Sequence, residues 1–316
     1  MILEKKKIIT AIILSVIIGE NAMADNLKIT ADPKWQEITE NGQKCYNLDY
    51  SGKDYPVLST FVPVNAGSYY RLSWDMSSSV ADEEAKAVLN IDSNRKCAYI
   101  YPMTQGWSHY VGYFYSDAPG EAQLRLRPDP SQPKKIEVKN LKFEQLKPES
   151  FTADLLPDGN FENSCGHTST FQRNTDPDLV SVVNGQDFIS GEKSLCLAFS
   201  LREKAAKVTT IYMPIIPGKE FVFRFYAKSD SDYSIRTTLS LWSPYGHQGK
   251  HFWKKETFKL SPEWKEFSMT ATMPTDETEY PDLSDRMMAI TIHGSDNQAG
   301  EIYFDDMEFK QIEQKQ

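Results

Sequence analysis

The side chains best suited to chemistry are concentrated in LWSPYGHQGKHFW, residues 241–253. Trp242, Tyr245, His247, His251, Phe252 and Trp253 all fall in this stretch, which is too aromatic for a plain loop. Aromatic rings with a polar handle suit a ligand that is part apolar and part wet, as a sugar ring is. Tyr245-Gly246-His247-Gln248-Gly249 reads as the loop tip. Trp242, Tyr245, His247 and Trp253 are therefore candidate ligand contacts. The competing reading places Trp242 and Phe252 in the core and leaves a surface hairpin. Phe171, Gln172, Arg173 and Asn174 form a second aromatic and polar cluster. In CAYIYPMTQGWSHYVGYFY, residues 97–115, Tyr99 and Tyr101 share a face. With Arg125 and Arg127 they are further candidates for ligand contact.

Catalytic patterns are scarce. His109, His167, His247, His251 and His293 form no HExxH motif, and there is no GxSxG elbow or Gly-rich phosphate loop. His247 and His251 would make a metal pair only on a helix, which the surrounding Gly and Pro oppose. A carboxylate pair for glycoside hydrolysis needs no local motif, so a jelly-roll hydrolase or lyase stays as the enzymatic alternative.

The elements that must hold these residues form a repeat. FVPVNAGSYYRLSWDMSS, 61–78, lies over YMPIIPGKEFVFRFYAKS, 212–229, at an offset of 151. Pro63 meets Pro214, Gly67 meets Gly218, Leu72 meets Phe223 and Trp74 meets Phe225. The same offset sets Cys45 on Cys196 and Ile38 on Ile189. Later elements keep their order while the offset drifts. GWSHYVGYFYSDAP (106–119) matches EWKEFSMTATMPTD (263–276), with Trp107 on Trp264, a shared position that predicts core in both copies. AQLRLRP (122–128) matches MAITIHG (288–294), and KIEVKNLKFEQL (135–146) matches EIYFDDMEFKQI (301–312). One domain has been duplicated. The matched segments alternate with period two and are separated by turn residues, which predicts strands. The fold expected is all-β: two tandem antiparallel β-sandwiches, of jelly-roll form, over 25–147 and 152–313.

Residues 1–24 read as a cleaved signal peptide. Lys5-Lys6-Lys7 precede a short apolar run that ends in Ala22-Met23-Ala24. Export to the periplasm, cell surface or exterior follows, and no later segment reads as a membrane span. The net charge is −9, and about −10 once the signal is removed. That disfavours nucleic acid as a partner. Four cysteines in an exported chain predict disulfides. Three pairings are open, and pairing within domains, Cys45–Cys97 and Cys165–Cys196, is the most natural.

The order LLPDGNFE, SGEKSLCL, MPIIPGKEFVFRFYAKS, SPEWKEFSMTATMP, GEIYFDDMEF resembles carbohydrate-binding modules of the CBM4/9/16/22 type, with a galactose-binding-like jelly roll. The resemblance covers nearly all of 155–312 and extends more weakly over 36–146. It implies a structural Ca2+ held by Glu162, by backbone oxygens of residues 191–194 including Lys193, and by Asp305. Calcium takes six to eight hard oxygens, which such a set supplies. The first copy lacks both carboxylates. Its equivalent of Asp305-Asp306 is Lys139-Asn140, and that of Glu162 falls within the signal. One calcium site, in the second domain only, is expected. The function expected is non-catalytic glycan binding by an exported protein. A surface or periplasmic module for a protein partner is the second reading.

Overall fold

The computed structural model describes residues 27–313, apart from 41, 51–55, 80–85, 94–95, 104, 130–133, 165, 167, 173–179, 200–205, 242–249 and 296–297. The proposed signal peptide lies outside the described residues.

The first half carries β1 (Thr30–Ala31), β2 (Gln36–Glu40), β3 (Gln43–Tyr50), β4 (Leu58–Val64) and β5 (Ser68–Ser78). It continues with β6 (Lys86–Asp92), β7 (Lys96–Pro102), β8 (Gly106–Ser116), β9 (Gly120–Asp129) and β10 (Lys134–Leu146). The second half carries β11 (Val180–Asn184), β12 (Ser194–Phe199), β13 (Lys207–Thr209), β14 (Met213–Pro214) and β15 (Glu220–Ser229). Then follow β16 (Tyr233–Leu241), β17 (Trp253–Leu260), β18 (Lys265–Thr272), β19 (Met287–His293) and β20 (Gly300–Gln311). No α-helix occurs among the described residues.

Both halves are two-sheet sandwiches. The first stacks β1-β4-β9-β6-β7 on β2-β3-β10-β5-β8. The second stacks β13-β19-β16-β17 on β11-β12-β20-β15-β18. One sheet agrees strand for strand; in the other, β13 and β14 both pair with β19 where β4 alone pairs with β9, and β1 has no counterpart strand among the described residues, so the duplication is structural as well as sequential. Alternation sets each core. In β15, Phe221, Phe223, Phe225 and Ala227 are buried while Arg224 and Tyr226 face outward. The matched glycines share a conformation that L side chains avoid: φ is +71° at Gly67 and +73° at Gly218, at the turns into β5 and β15. The matched pair Asn140 and Asp306 also sits at positive φ, +55° and +45°. Each occupies a register shift in its strand, so the same β-bulge recurs in both copies.

Some expectations change. Ile38 opposes Cys45 on β2, whereas the residue opposite Cys196 is Val182. The counterpart of Ile38 is thus Val182, and Ile189 lies in a loop. Trp107 is 41% exposed and Trp264 half-buried, so the shared position is not core. Both rings lie beneath a lysine instead, Lys139 at 3.6 Å from the Trp107 ring and Lys228 at 5.5 Å from the Trp264 ring.

Tyr99 and Tyr101 are corrected too. Both are 0% exposed and cannot reach a ligand. They stack on each other at 5.9 Å, and Tyr101 packs edge-on to Trp74 and Tyr110. Tyr101 donates to Val111 O at 2.7 Å. Tyr99 donates to Tyr113 O and sits 3.4 Å from Tyr212 O of the other half. It belongs to a tyrosine seam between the halves. Tyr69 donates to Ile215 O at 2.8 Å, Tyr113 to Leu155 O at 2.9 Å, and Tyr69 packs edge-on to Phe151. Each hydroxyl satisfies a carbonyl that burial would otherwise strand.

The disulfide expectation fails for the described cysteines, since Cys45, Cys97 and Cys196 are free. Geometry explains Cys45 and Cys97. They lie on opposite sheets, and Cys45 alternates with the core residues Tyr46 and Leu48, so it points away from the sandwich interior. Cys97 packs against the core from the other sheet, so the two Cβ vectors do not face each other and no bond can form. Cys196 likewise alternates with the core residues Leu195 and Leu197, and Cys165 lies outside the described residues.

Candidate functional site

The outer surface of β13-β19-β16-β17 is built by alternation. Ile235, Leu239, Ile290 and Ile292 go into the core, which turns the intervening residues outward. The register then arranges them in rows. Lys207, His293, Arg236 and Thr257 stand side by side across four strands. The next row is Thr209, Thr291, Thr238 and Lys255. Beyond it come Ala289, Ser240 and Trp253.

Trp253 is the aromatic member of this face and is 58% exposed. Its ring lies parallel to His251, with centroids 5.9 Å apart and planes at 9°. The Lys255 ammonium is 4.6 Å from its centroid. His251 is anchored in turn: its Nδ1 is 2.5 Å from Asp282 Oδ2, and Asp282 is buried. Trp253 thus stands on a fixed support. Beside it, Thr209 and Thr291 hydroxyls meet at 3.1 Å. The Thr238 hydroxyl is buried in the face and has no hydrogen-bond partner among the described residues. Gln172 closes one rim by donating to Thr210 O at 3.1 Å.

Of the candidate contacts, Trp253 is on this face. Phe171 is core and Gln172 is at the rim. Trp242, Tyr245, His247, Arg173 and Asn174 lie outside the described residues. Sequence reasoning missed Arg236, His293, Lys207 and the threonines. Their signal was available in SIRTTLSL and ITIH, where polar residues alternate with the apolar positions that fix the inward side.

The expected calcium residues Glu162 and Asp305 both hold the loop before β12, residues 189–193. Glu162 Oε1 accepts from the backbone N–H groups of Glu192 at 2.8 Å and Lys193 at 2.9 Å. Asp305 Oδ2 accepts from Ile189 and Ser190 N–H at 2.7 and 3.0 Å. Its Oδ1 accepts from Asp306 N–H at 2.8 Å. The Lys193 ammonium donates to the carbonyls of Glu162 at 2.8 Å and Ser164 at 2.9 Å. These oxygens already serve N–H donors. Among the described residues no cluster of three or more His, Cys, Asp or Glu could hold a metal ion.

A groove of about 470 Å³ lies on the other sheet of this half, where Asp158, Asn163, Tyr226, Glu266 and Asp306 line it. It is rich in carboxylates and has no tryptophan.

Residues 153–281 match the family model of the carbohydrate binding domain, CBM_4_9. No curated protein matches the chain. Among solved structures, the chain is similar to the CBM22-1–CBM22-2 tandem domain of Paenibacillus barcinonensis Xyn10C, with TM-score 0.39 and 13% identity over 94% of this chain and 100% of that one. It is also similar to a CBM4 module, with TM-score 0.35 and 17% identity over 50% of this chain and 99% of that one. A third is the family 22 xylan-binding domain of the same Xyn10C, with TM-score 0.36 and 9% identity over 52% and 94%. No helix of the described residues is long and apolar enough to cross a membrane. Over 153–281 the second half carries the family pattern of a carbohydrate binding domain, and the first half repeats its strand order.

Proposed function

We propose that this protein is exported and binds a carbohydrate without transforming it, through the outer face of β13-β19-β16-β17. One observation carries the reading: Trp253, anchored on His251 and Asp282, stands open beside a row of threonine hydroxyls. An aromatic face takes the apolar side of a sugar ring, and the half-buried Thr209, Thr291 and Ser240 offer hydroxyls to its polar rim. Lys255 is on a flexible stem and is the group a ring would displace from Trp253. Trp242, Tyr245 and His247 follow β16 in sequence and lie outside the described residues.

The test is retention of the full chain on a panel of immobilised polysaccharides, with Trp253→Ala alongside. Retention that the variant loses supports the reading. Binding that is unchanged in Trp253→Ala overturns the placement of the site on this face.

A further inference from the structure

Charge on the proposed face is one-sided. The chain as a whole is acidic, with net charge −9. Yet every charged outward position of β13, β16, β17 and β19 is basic: Lys207, Arg236, Lys255 and Lys259, with His293 between two of them. Lys207, His293 and Arg236 are direct neighbours across three strands. Arg236 and Lys207 form no ion pair among the described residues, whereas Arg125 on the corresponding strands of the first half lies 3.7 Å from Asp92.

We infer that the ligand of this face is an anionic glycan whose carboxylate or sulfate groups lie along the row Lys207, His293, Arg236 while a ring rests at Trp253. An anion is attracted by the two like-charged side chains of that row, Lys207 and Arg236, and a neutral sugar is not. The inference rests on the proposed function.

The experiment compares retention on polygalacturonate, carrageenan and unsubstituted xylan, for the wild-type chain, Trp253→Ala and the double variant Lys207→Gln/Arg236→Gln. The expected result is retention on an acidic matrix above that on xylan, weakened by salt as exposed ion pairs are. The double variant should lose roughly tenfold in affinity for that matrix. Preference for polygalacturonate identifies a carboxylate, and preference for carrageenan a sulfate. Retention on xylan that only Trp253→Ala abolishes would overturn the anionic ligand and leave carbohydrate binding standing. No retention on any matrix overturns both.

On separate grounds, we infer that the Lys193 ammonium is the cation of the cradle at the start of the second half, in place of the calcium that the sequence suggested. It binds two carbonyls of the opening segment, while Glu162 binds the amides of Lys193 and Glu192. Gly191, at φ +63°, lies so close that an added Cβ would sit 2.3 Å from Glu162 Oε1. One clasp thus joins the opening segment to the loop before β12 with no metal in it. The melting temperature of the wild-type chain should be the same in EDTA and in millimolar calcium. Lys193→Met should lower it by about 4 °C. A wild-type melting temperature that calcium raises or EDTA lowers would overturn the inference, and so would a Lys193→Met variant as stable as the wild type. The wild-type arm decides even where the variant does not fold.

Discussion

The same surface occurs twice in this molecule. On β13-β19-β16-β17 it presents rows of basic residues and threonines that end at Trp253. On β4-β9-β6-β7 it presents Ser59, Arg125, Asn90 and Ala98 in one row, and Arg127, Val88 and Ile100 in the next. Phe61 is the open aromatic residue there, at 61% exposed. It stands beside Gln123, two strands from Asp92. The buried faces of the two sheets are interchangeable in pattern, and the outer faces share almost nothing. A duplicated sandwich keeps what its core demands. Its outward residues are released from packing and can specialise.

The largest effect expected concerns Tyr99, the residue that sequence placed at a ligand. Tyr99→Ala removes a fully buried ring and should cost about 3–5 kcal/mol of stability in denaturant unfolding. Tyr99→Phe should leave glycan retention unchanged. A loss of retention without a loss of stability would break the comparison by giving the first half a binding site.

Next is the pair of open aromatics. Trp253→Ala should weaken glycan binding about tenfold or more, or ~1.4 kcal/mol, in affinity electrophoresis. Phe61→Ala should change it by less than about twofold, since the first face lacks the hydroxyl row. Equal losses would mean that both faces bind.

The two bulges differ in how they are tethered. In the first half Asn140 Nδ2 donates to Asp75 Oδ2, and His109 Nδ1 lies 2.7 Å from Asp75 Oδ1. In the second, Ser190 Oγ donates to Asp306 Oδ1 at 2.7 Å. Burial would raise the Asp75 carboxyl, but the bonds from His109 and Asn140 outweigh it and hold the group below the usual carboxylate range. A lowered native value means stability that is present above about pH 4 and lost as pH falls through the native value. Asp75→Asn should therefore cost about 1 kcal/mol near neutrality and nothing at low pH. Urea unfolding across the acid range checks this.

The smallest effect is on thiol chemistry. Burial pushes the Cys97 thiol up to about 12 and the Cys196 thiol to about 11. Both are poor nucleophiles near pH 8, because the thiolate is the reactive form. Iodoacetamide should label neither at an appreciable rate until the chain unfolds. Fast labelling of Cys97 would show that its cover opens in the folded chain.

The fold was legible because its determinants are local. Phe221, Phe223 and Phe225 alternate, and Gly67 and Gly218 mark turns that need positive φ. The bulge was not legible: Asn140 aligns with Asp306, but plain alternation was expected there, and positive φ at these two residues shows only in the folded strands. Nor was it legible which side of a strand is covered. Tyr99 and Tyr101 do share a face, as alternation required, but their cover comes from distant residues such as Trp74, Tyr110 and Tyr212. Trp107 and Trp264 are equivalent, yet their position is an outer edge beneath a lysine. The bonds of the Lys193 ammonium to the Glu162 and Ser164 carbonyls were not legible either, because these residues meet only in the fold. The basic row was hidden because its members come from three separate segments that only the register brings together.

The tyrosine seam has a consequence for descent. β8 is an edge strand of its sheet, and Tyr113 on it is covered by the second half. A bare edge beside a patch of tyrosines invites pairing with other chains. Copies that began as interchangeable beads have become one heritable unit, which recombination cannot divide near residue 150 without creating a sticky fragment.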